Sequence, residues 1–247
     1  EIVHDALTTK SRQRNTYGMG QIKLVDPSSI LDEMRMCKSQ EEIEIMQKSA
    51  DLASLAHSRA MEKTHVGIGE WEIRALIEGC FLSHGSQWSY PSIVGGGDNA
   101  TILHYHANNK PVLDGELVLV DAGCEVDGYA SDITRTWPVN GKFTEPQREI
   151  YNLVLKAEIA GIEACRVGAP WNASHKAAME VISRGLIDLG ILNCTFEEAM
   201  GADLDGKTRQ FFMHGTSHSL GLDVHDVGVT RPGGKGDGRL LEEGMVL

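Results

Sequence analysis

The sequence predicts a mixed α/β fold of the α+β kind, in which amphipathic helices cover an antiparallel sheet. Three observations predict it: a capped helical stretch beginning at Ser39, a hairpin centred on Asp127-Gly128, and two further helical stretches after Glu145. At 247 residues and 41% hydrophobic content the chain can bury a substantial core.

Residues 1–35 read as the tail of a preceding N-terminal domain plus a linker, with a short segment around Gln21 to Val25 ahead of Asp26-Pro27. From Ser39 the pattern Ser-Gln-Glu-Glu42 forms a capping box. Apolar residues at Ile43, Met46, Ala50, Ala53 and Ala56 continue that helix towards Met61. A second helix runs from Gly69 or Glu70 to His84. Strand-like residues then alternate with a glycine-rich stretch, Gly95-Gly-Gly97, which lacks the spacing and following Lys-Ser/Thr of a phosphate loop and reads as a turn between strands. Glu145 to Arg166 makes a third helix with Pro146 in its first turn. Ala173 to Leu189 makes a fourth, ended by Gly190.

The hairpin carries the most informative pair of residues. Leu117 to Val120 is an apolar strand, Asp127-Gly128 favours a type I′ turn, and the return strand runs to Trp137. Val126 should therefore face Tyr129, and Asp121 should face Thr134. Asp132 falls on the same face as Asp121, one diagonal step away. Diagonal neighbours lie roughly 6–8 Å apart at Cβ, close enough for two carboxylates to share metal ions about 3.5–4 Å apart. A bound dication also removes the repulsion between two such charges. The competing reading is a solvated face of mixed polar residues, but the small residues Gly123, Gly128 and Ala130 suggest room left for a ligand.

Three of the ten histidines, His214, His218 and His225, fall close together near the end of the chain. His214 and His218 share a face on either a strand or a helix; the direction of His225, beyond Gly221, cannot be read from spacing. Each alone could be structural or solvated. Together they suit a mixed Asp/His site for a divalent transition metal, with any unligated imidazole free to bond substrate or move protons.

Composition narrows the class further. A net charge of -12 with no basic stripe argues against nucleic acid. No apolar run approaches a membrane span. The five cysteines, Cys37, Cys80, Cys124, Cys165 and Cys194, are scattered and never in a C-x-x-C spacing, which points to reduced thiols and a cytoplasmic location. Cys124, near Asp121, reads as a buried small hydrophobe rather than a ligand.

The stretches Ile102-Leu-His104-Tyr, Leu119-Val-Asp121-Ala-Gly-Cys, Tyr129-Ala-Ser-Asp132-Ile-Thr-Arg-Thr, Phe143-Thr-Glu-Pro-Gln-Arg-Glu and Phe211-Phe-Met-His214-Gly-Thr-Ser-His218-Ser-Leu-Gly-Leu-Asp-Val-His225-Asp together resemble the aminopeptidase P (Xaa-Pro aminopeptidase) branch of the metallopeptidases that include prolidase, methionine aminopeptidase and creatinase. The resemblance covers about Met34 to Leu247. It implies a pita-bread fold, a curved antiparallel sheet flanked by helices, occupying residues 36–247 without its last strands. By resemblance Asp121, Asp132 and His218 are metal ligands, while His104, His214 and His225 are active-site histidines. The cofactors implied are two divalent metal ions, Mn2+ first, with Co2+ or Zn2+ as alternatives, and a metal-bridging hydroxide attacks the Xaa-Pro bond. The implied partners are peptide substrates with proline at position two, and the complete protein is expected to be a homo-oligomer, dimer or tetramer.

The resemblance also implies two glutamate ligands in strands that follow Gly244-Met-Val-Leu247, where the sequence ends; Glu242 and Glu243 are not those residues and read as solvated. Two alternatives remain at this stage, a prolidase restricted to Xaa-Pro dipeptides and a metal-free pita-bread binding module.

Overall fold

The computed structural model describes residues 5–6, 9–10, 25–231 and 236–247. All of the segment expected around Gln21 except Val25 lies outside them. Helix α1 (Ser28–Met36) begins the continuous part, in a stretch the sequence reading treats as linker. Its Arg35 and the Lys38 that follows it both reach the carboxylate of Asp226, at 2.6 and 3.0 Å.

Helix α2 (Gln40–Lys63) starts where its capping box dictates: Ser39 accepts from the Glu42 N–H while the Glu42 side chain accepts from the Ser39 N–H. Met46, Ala53, Ala56 and Ala60 form its buried stripe, and the run of alanines lets the sheet approach closely. Helix α3 (Glu70–Ser83) adds Ile73, Ile77 and Phe81 to the same core, each with 0% exposure.

Two three-stranded antiparallel sheets face these helices. One orders β1 (Gln87–Trp88), β4 (Cys124–Val126) and β5 (Tyr129–Ala130); the other orders β2 (Ile93–Gly96), β3 (Leu117–Asp121) and β6 (Thr134–Pro138), with β3 in the centre. The expected register is present: Asp121 pairs with Thr134 and Val126 with Tyr129, and Asp127 and Gly128 both take positive φ, 50° and 84°.

Two details differ from the sequence reading. The hairpin is split between the two sheets rather than forming one uninterrupted ladder. Gly123 lies at the split, and a Cβ there would strike the backbone carbonyl of Ser131, so its smallness serves a close approach of backbones and not a ligand. Similarly, Gly95 and Gly96 are strand residues and not a turn. A Cβ on Gly95 would meet the backbone of Asn99 and Ala100, and one on Gly96 would meet Val112; the turn begins only at Gly97, φ 52°.

A second helical layer comprises α4 (Glu145–Ala164), which Thr144 caps, and α5 (Ala173–Asp188), the two packed on each other around Ala157, Ala178, Ile182 and Leu186. A short helix the sequence reading did not anticipate, α6 (Phe196–Met200), begins at its own Thr195–Glu198 capping box. From Phe211 onwards the described residues form no helix or strand, only isolated bridges, so His214 and His218 sit on neither of the two elements considered for them.

Candidate metal centre

Asp121 closes the central strand β3, and Asp132 precedes β6 on the same face. Their proximity is shown by Tyr90, whose phenol oxygen contacts Asp121 Oδ1 at 2.5 Å and Asp132 Oδ1 at 2.8 Å. One hydroxyl hydrogen cannot serve two carboxylates. The remaining oxygen contact needs a proton or a cation, and the pair is therefore built to hold positive charge.

The electrostatics separate the two acids. Burial pushes the Asp121 carboxyl above its usual range, and the nearby Asp132 charge adds to this against the Tyr90 hydrogen bond. Burial also acts on Asp132, but hydrogen bonds from His218 and Tyr90 leave it net below the usual range. Tyr90 is driven well upward by burial and by both carboxylates, so it stays a neutral phenol.

His218 joins the pair from the far end of the chain, with Nε2 3.1 Å from Asp132 Oδ2. Its Nδ1 lies 3.0 Å from the Ser219 carbonyl, which accepts only, so Nδ1 carries a proton and Nε2 is the nitrogen that meets the carboxylates. The Asp132 hydrogen bond raises the His218 pKa. A proton on Nε2 thus occupies the lone pair that a metal ligand would use, and proton and divalent ion compete for one nitrogen.

Two carboxylates and one imidazole are a donor set suited to Mn2+, Co2+ or Zn2+. In this structure those side chains close on one another and on Tyr90, and among the described residues no three His, Cys, Asp or Glu side chains are arranged to hold an ion. The residues fit the ion by donor chemistry and by shared face.

The other three histidines stand in two edge-on pairs, one of which includes His218. The His225 ring stands edge-on to His218, centroids 4.2 Å apart, and His104 stands edge-on to His214 at 6.2 Å. His104, His214 and His225 are exposed and open to a ligand. His104 has φ 52°, a left-handed conformation uncommon outside glycine.

Tyr90 escaped the sequence reading, because nothing in Ser-Tyr-Pro-Ser separates a bridging phenol from a packed one. Its only signal is position, ahead of the strand β2 that pairs with Asp121. Cys124 is buried with 0% exposure, and its thiol contacts Ser49 and Ser131 rather than any carboxylate. Glu242 and Glu243 are exposed, and Glu242 pairs with Arg239.

A sheet-borne Asp pair with an imidazole from a distant segment is the kind of donor set that metal-dependent hydrolases use. The family model for metallopeptidase family M24 matches residues 44–247, and the chain belongs to that family. It is 45% identical over its whole length to the Xaa-Pro aminopeptidase of Escherichia coli, of which it covers 55%. Over 91% of its length it is 46% identical to the Xaa-Pro aminopeptidase of Haemophilus influenzae, covering 51% of that protein. In structure it matches E. coli aminopeptidase P in complex with substrate at TM-score 0.89 and 43% identity, over 99% of this chain and 54% of that one. The aminopeptidase PepP of Pseudomonas aeruginosa matches at TM-score 0.89 and 39% identity, over 98% and 54%. The architecture is the pita-bread fold of these enzymes, and the chain spans about half the length of the relatives it matches.

Proposed function

We propose that this chain carries the metal centre of an Xaa-Pro aminopeptidase, which hydrolyses the first peptide bond of peptides with proline at position two. The observation that carries the reading is the Tyr90-bridged pair of Asp121 and Asp132 with His218 Nε2 against it. Asp121, Asp132 and His218 are the residues that would hold divalent ions. Bound there, two such ions would supply Lewis-acid polarisation of the scissile carbonyl and a water of lowered pKa. Mn2+ is the ion proposed first, with Co2+ and Zn2+ as alternatives; a solved relative is a Zn-substituted E. coli aminopeptidase P in complex with product.

The chain's own residues do the rest. His104, His214 and His225 line the approach to the carboxylates as exposed donors, placed to hydrogen-bond a peptide carbonyl and the charge that develops on it. The acidic centre attracts the free α-ammonium of a peptide, which favours removal of the first residue over internal cleavage. Peptides are the proposed substrates. A cytoplasmic location is proposed, which the five free cysteines support, together with a homo-oligomer, dimer or tetramer. No helix among the described residues is long and apolar enough to cross a membrane.

The test is to load the purified complete protein, including the strands expected after Leu247, with Mn2+, Co2+ or Zn2+ and assay Xaa-Pro-Xaa tripeptides and Xaa-Pro dipeptides. Release of the first residue from tripeptides is expected, and Asp132→Asn should weaken Mn2+ binding by more than the roughly 10- to 100-fold that residues outside the direct ligand set carry. Cleavage of dipeptides alone would make the protein a prolidase. No cleavage with any of the three ions would leave a binding module.

A further inference from the structure

Glu70, the first residue of α3, is a carboxylate with 0% exposure that takes no part in the chemistry above. Its two oxygens accept four hydrogen bonds. Oε1 receives the Gly96 N–H at 2.9 Å and Asn99 Nδ2 at 2.8 Å; Oε2 receives the Tyr105 hydroxyl at 3.0 Å and the Lys110 N–H at 3.1 Å. Gly96 and Asn99 precede His104 in the chain, and Tyr105 and Lys110 follow it. A single buried anion therefore grips both flanks of the loop that presents His104.

Burial pushes the Glu70 carboxyl up, but the bonds from Asn99, Gly96, Lys110 and Tyr105 bring it net below the usual range, so it is held as an anion with no paired cation among the described residues. Its place at the start of α3 adds the favourable end of the helix dipole. Within the loop Asn99 also donates to the Tyr105 hydroxyl at 2.9 Å, and Asn108 accepts from the Val94 N–H at 3.1 Å and donates to the Ser92 carbonyl at 3.0 Å. Val94 belongs to β2, paired directly with the strand that ends in Asp121. Hydrogen bonds thus run from the Asp121 strand to the His104 loop. His104 and Asn108 both sit at positive φ, 52° and 43°, conformations that persist only where the surroundings over-determine them.

We infer that Glu70 is a positioning residue for His104, fixing the 97–110 loop so that this imidazole is held at a set place relative to Asp121. The inference rests on the peptidase reading of the site. Packing alone does not call for a carboxylate here, since an apolar side chain would fill the space without a buried charge. Glutamine is a sharp probe, because it turns one of the two accepting oxygens into a donor that cannot satisfy both the Lys110 N–H and the groups on Oε1.

The experiment compares wild type, E70Q, H104A and the double variant in the Mn2+-loaded protein, together with amide hydrogen exchange. E70Q should lower kcat about 10- to 100-fold, the scale of a misplaced catalytic group, with KM and Mn2+ affinity held within about twofold. In the H104A background E70Q should cost almost nothing further, since its effect passes through that imidazole. Exchange across 97–110 should quicken while Ile73–Phe81 stays protected. Equal losses of kcat in both backgrounds would overturn the inference, as would an unchanged kcat. Should E70Q not fold, Tyr105→Phe removes a single donor from the loop side and should lower kcat about threefold with the same non-additivity; additive effects there are equally fatal. If the wild-type protein cleaves no peptide, the peptidase reading fails by itself, and the exchange data alone decide the positioning claim, with an unaltered 97–110 loop sinking it.

Discussion

The two carboxylates and the segment that brings His218 to them are held in place by different routes. Asp121 is paired on both sides, to Ile93 and to Thr134, and the strand behind it anchors through Val118 and Val120, each with 0% exposure. The segment carrying His214, His218 and His225 has no such ladder. It is tied by single bonds, Gly221 accepting from the Ala130 N–H at 2.8 Å and the Val246 carbonyl accepting from the Leu220 N–H at 3.1 Å, and by the buried Asp226 beside His225. The carboxylates inherit their position from the core, whereas the histidines depend on a few point tethers whose loss should misplace them while leaving the sheet intact.

The strongest way to break that contrast is to cut the main tether. Lys38 and Asp226 are almost fully buried, at 2% and 1% side-chain exposure, and Lys38→Met leaves Asp226, among the described residues, with Arg35, 31% exposed, as its remaining ion-pair partner. Removing one partner of a buried pair costs about 3–5 kcal/mol, and the surviving Arg35 places this case near the low end, about 3 kcal/mol, read as a lower urea midpoint at pH 7. The pair also fixes a pH dependence. Burial pushes Asp226 up, but the Lys38 hydrogen bond and charge leave its folded pKa below the ordinary 3.8. A depressed acid stabilises the fold above the unfolded value and loses that contribution as pH falls through the folded one. The wild type should therefore weaken below about pH 4, and Lys38→Met should flatten that decline. A midpoint shifted no more than by a surface substitution would remove the point-tether account.

The carboxylate side is probed by Gly123→Ala. The added Cβ would strike the Ser131 carbonyl, a backbone atom that moves only with its strand, so the cost should be about 1–3 kcal/mol by thermal unfolding. Mn2+ affinity should fall with it, because Gly123 and Ser131 lie between Asp121 and Asp132 in the hairpin. An unchanged melting temperature would return this glycine to the role of leaving space for a ligand.

The same contrast explains what could be read from sequence. The hairpin register is local: two turn residues and a period of two place Asp121 and Asp132 on one face. Helix starts at Ser39 and Glu145 were equally legible, the first from a capping box and the second from Pro146 in the first turn, signals written within four residues. What was not legible joins distant parts of the chain. Tyr90 reaches Asp132 across 42 positions, Lys38 reaches Asp226 across 188, and Glu70 reaches Lys110 across 40. The glycines misled because smallness has the same spelling whether it admits a ligand or another stretch of backbone. The conformation of the late histidines was unreadable for a related reason, since the bonds that hold them lie far away in sequence.

The smallest expected effect sharpens the contrast from the outside. Glu242 is an acid near the end of the chain whose only ion pair among the described residues is with Arg239, at 3.0 Å and 60% side-chain exposure. Arg239 keeps a second carboxylate, Glu33, at 2.9 Å, so Glu242→Gln leaves the guanidinium paired. An exposed pair contributes about 0–1 kcal/mol at most, and with that substitute partner the change in stability should stay within about 0.5 kcal/mol. Mn2+ affinity should not move, because the side chain faces solvent and contacts neither Asp121, Asp132 nor His218. A titration in which Glu242→Gln weakened Mn2+ binding tenfold would show that this segment folds onto the centre when the ion is bound, and the boundary between core-held ligands and tethered histidines would then have to be redrawn to include a third, mobile source of carboxylate.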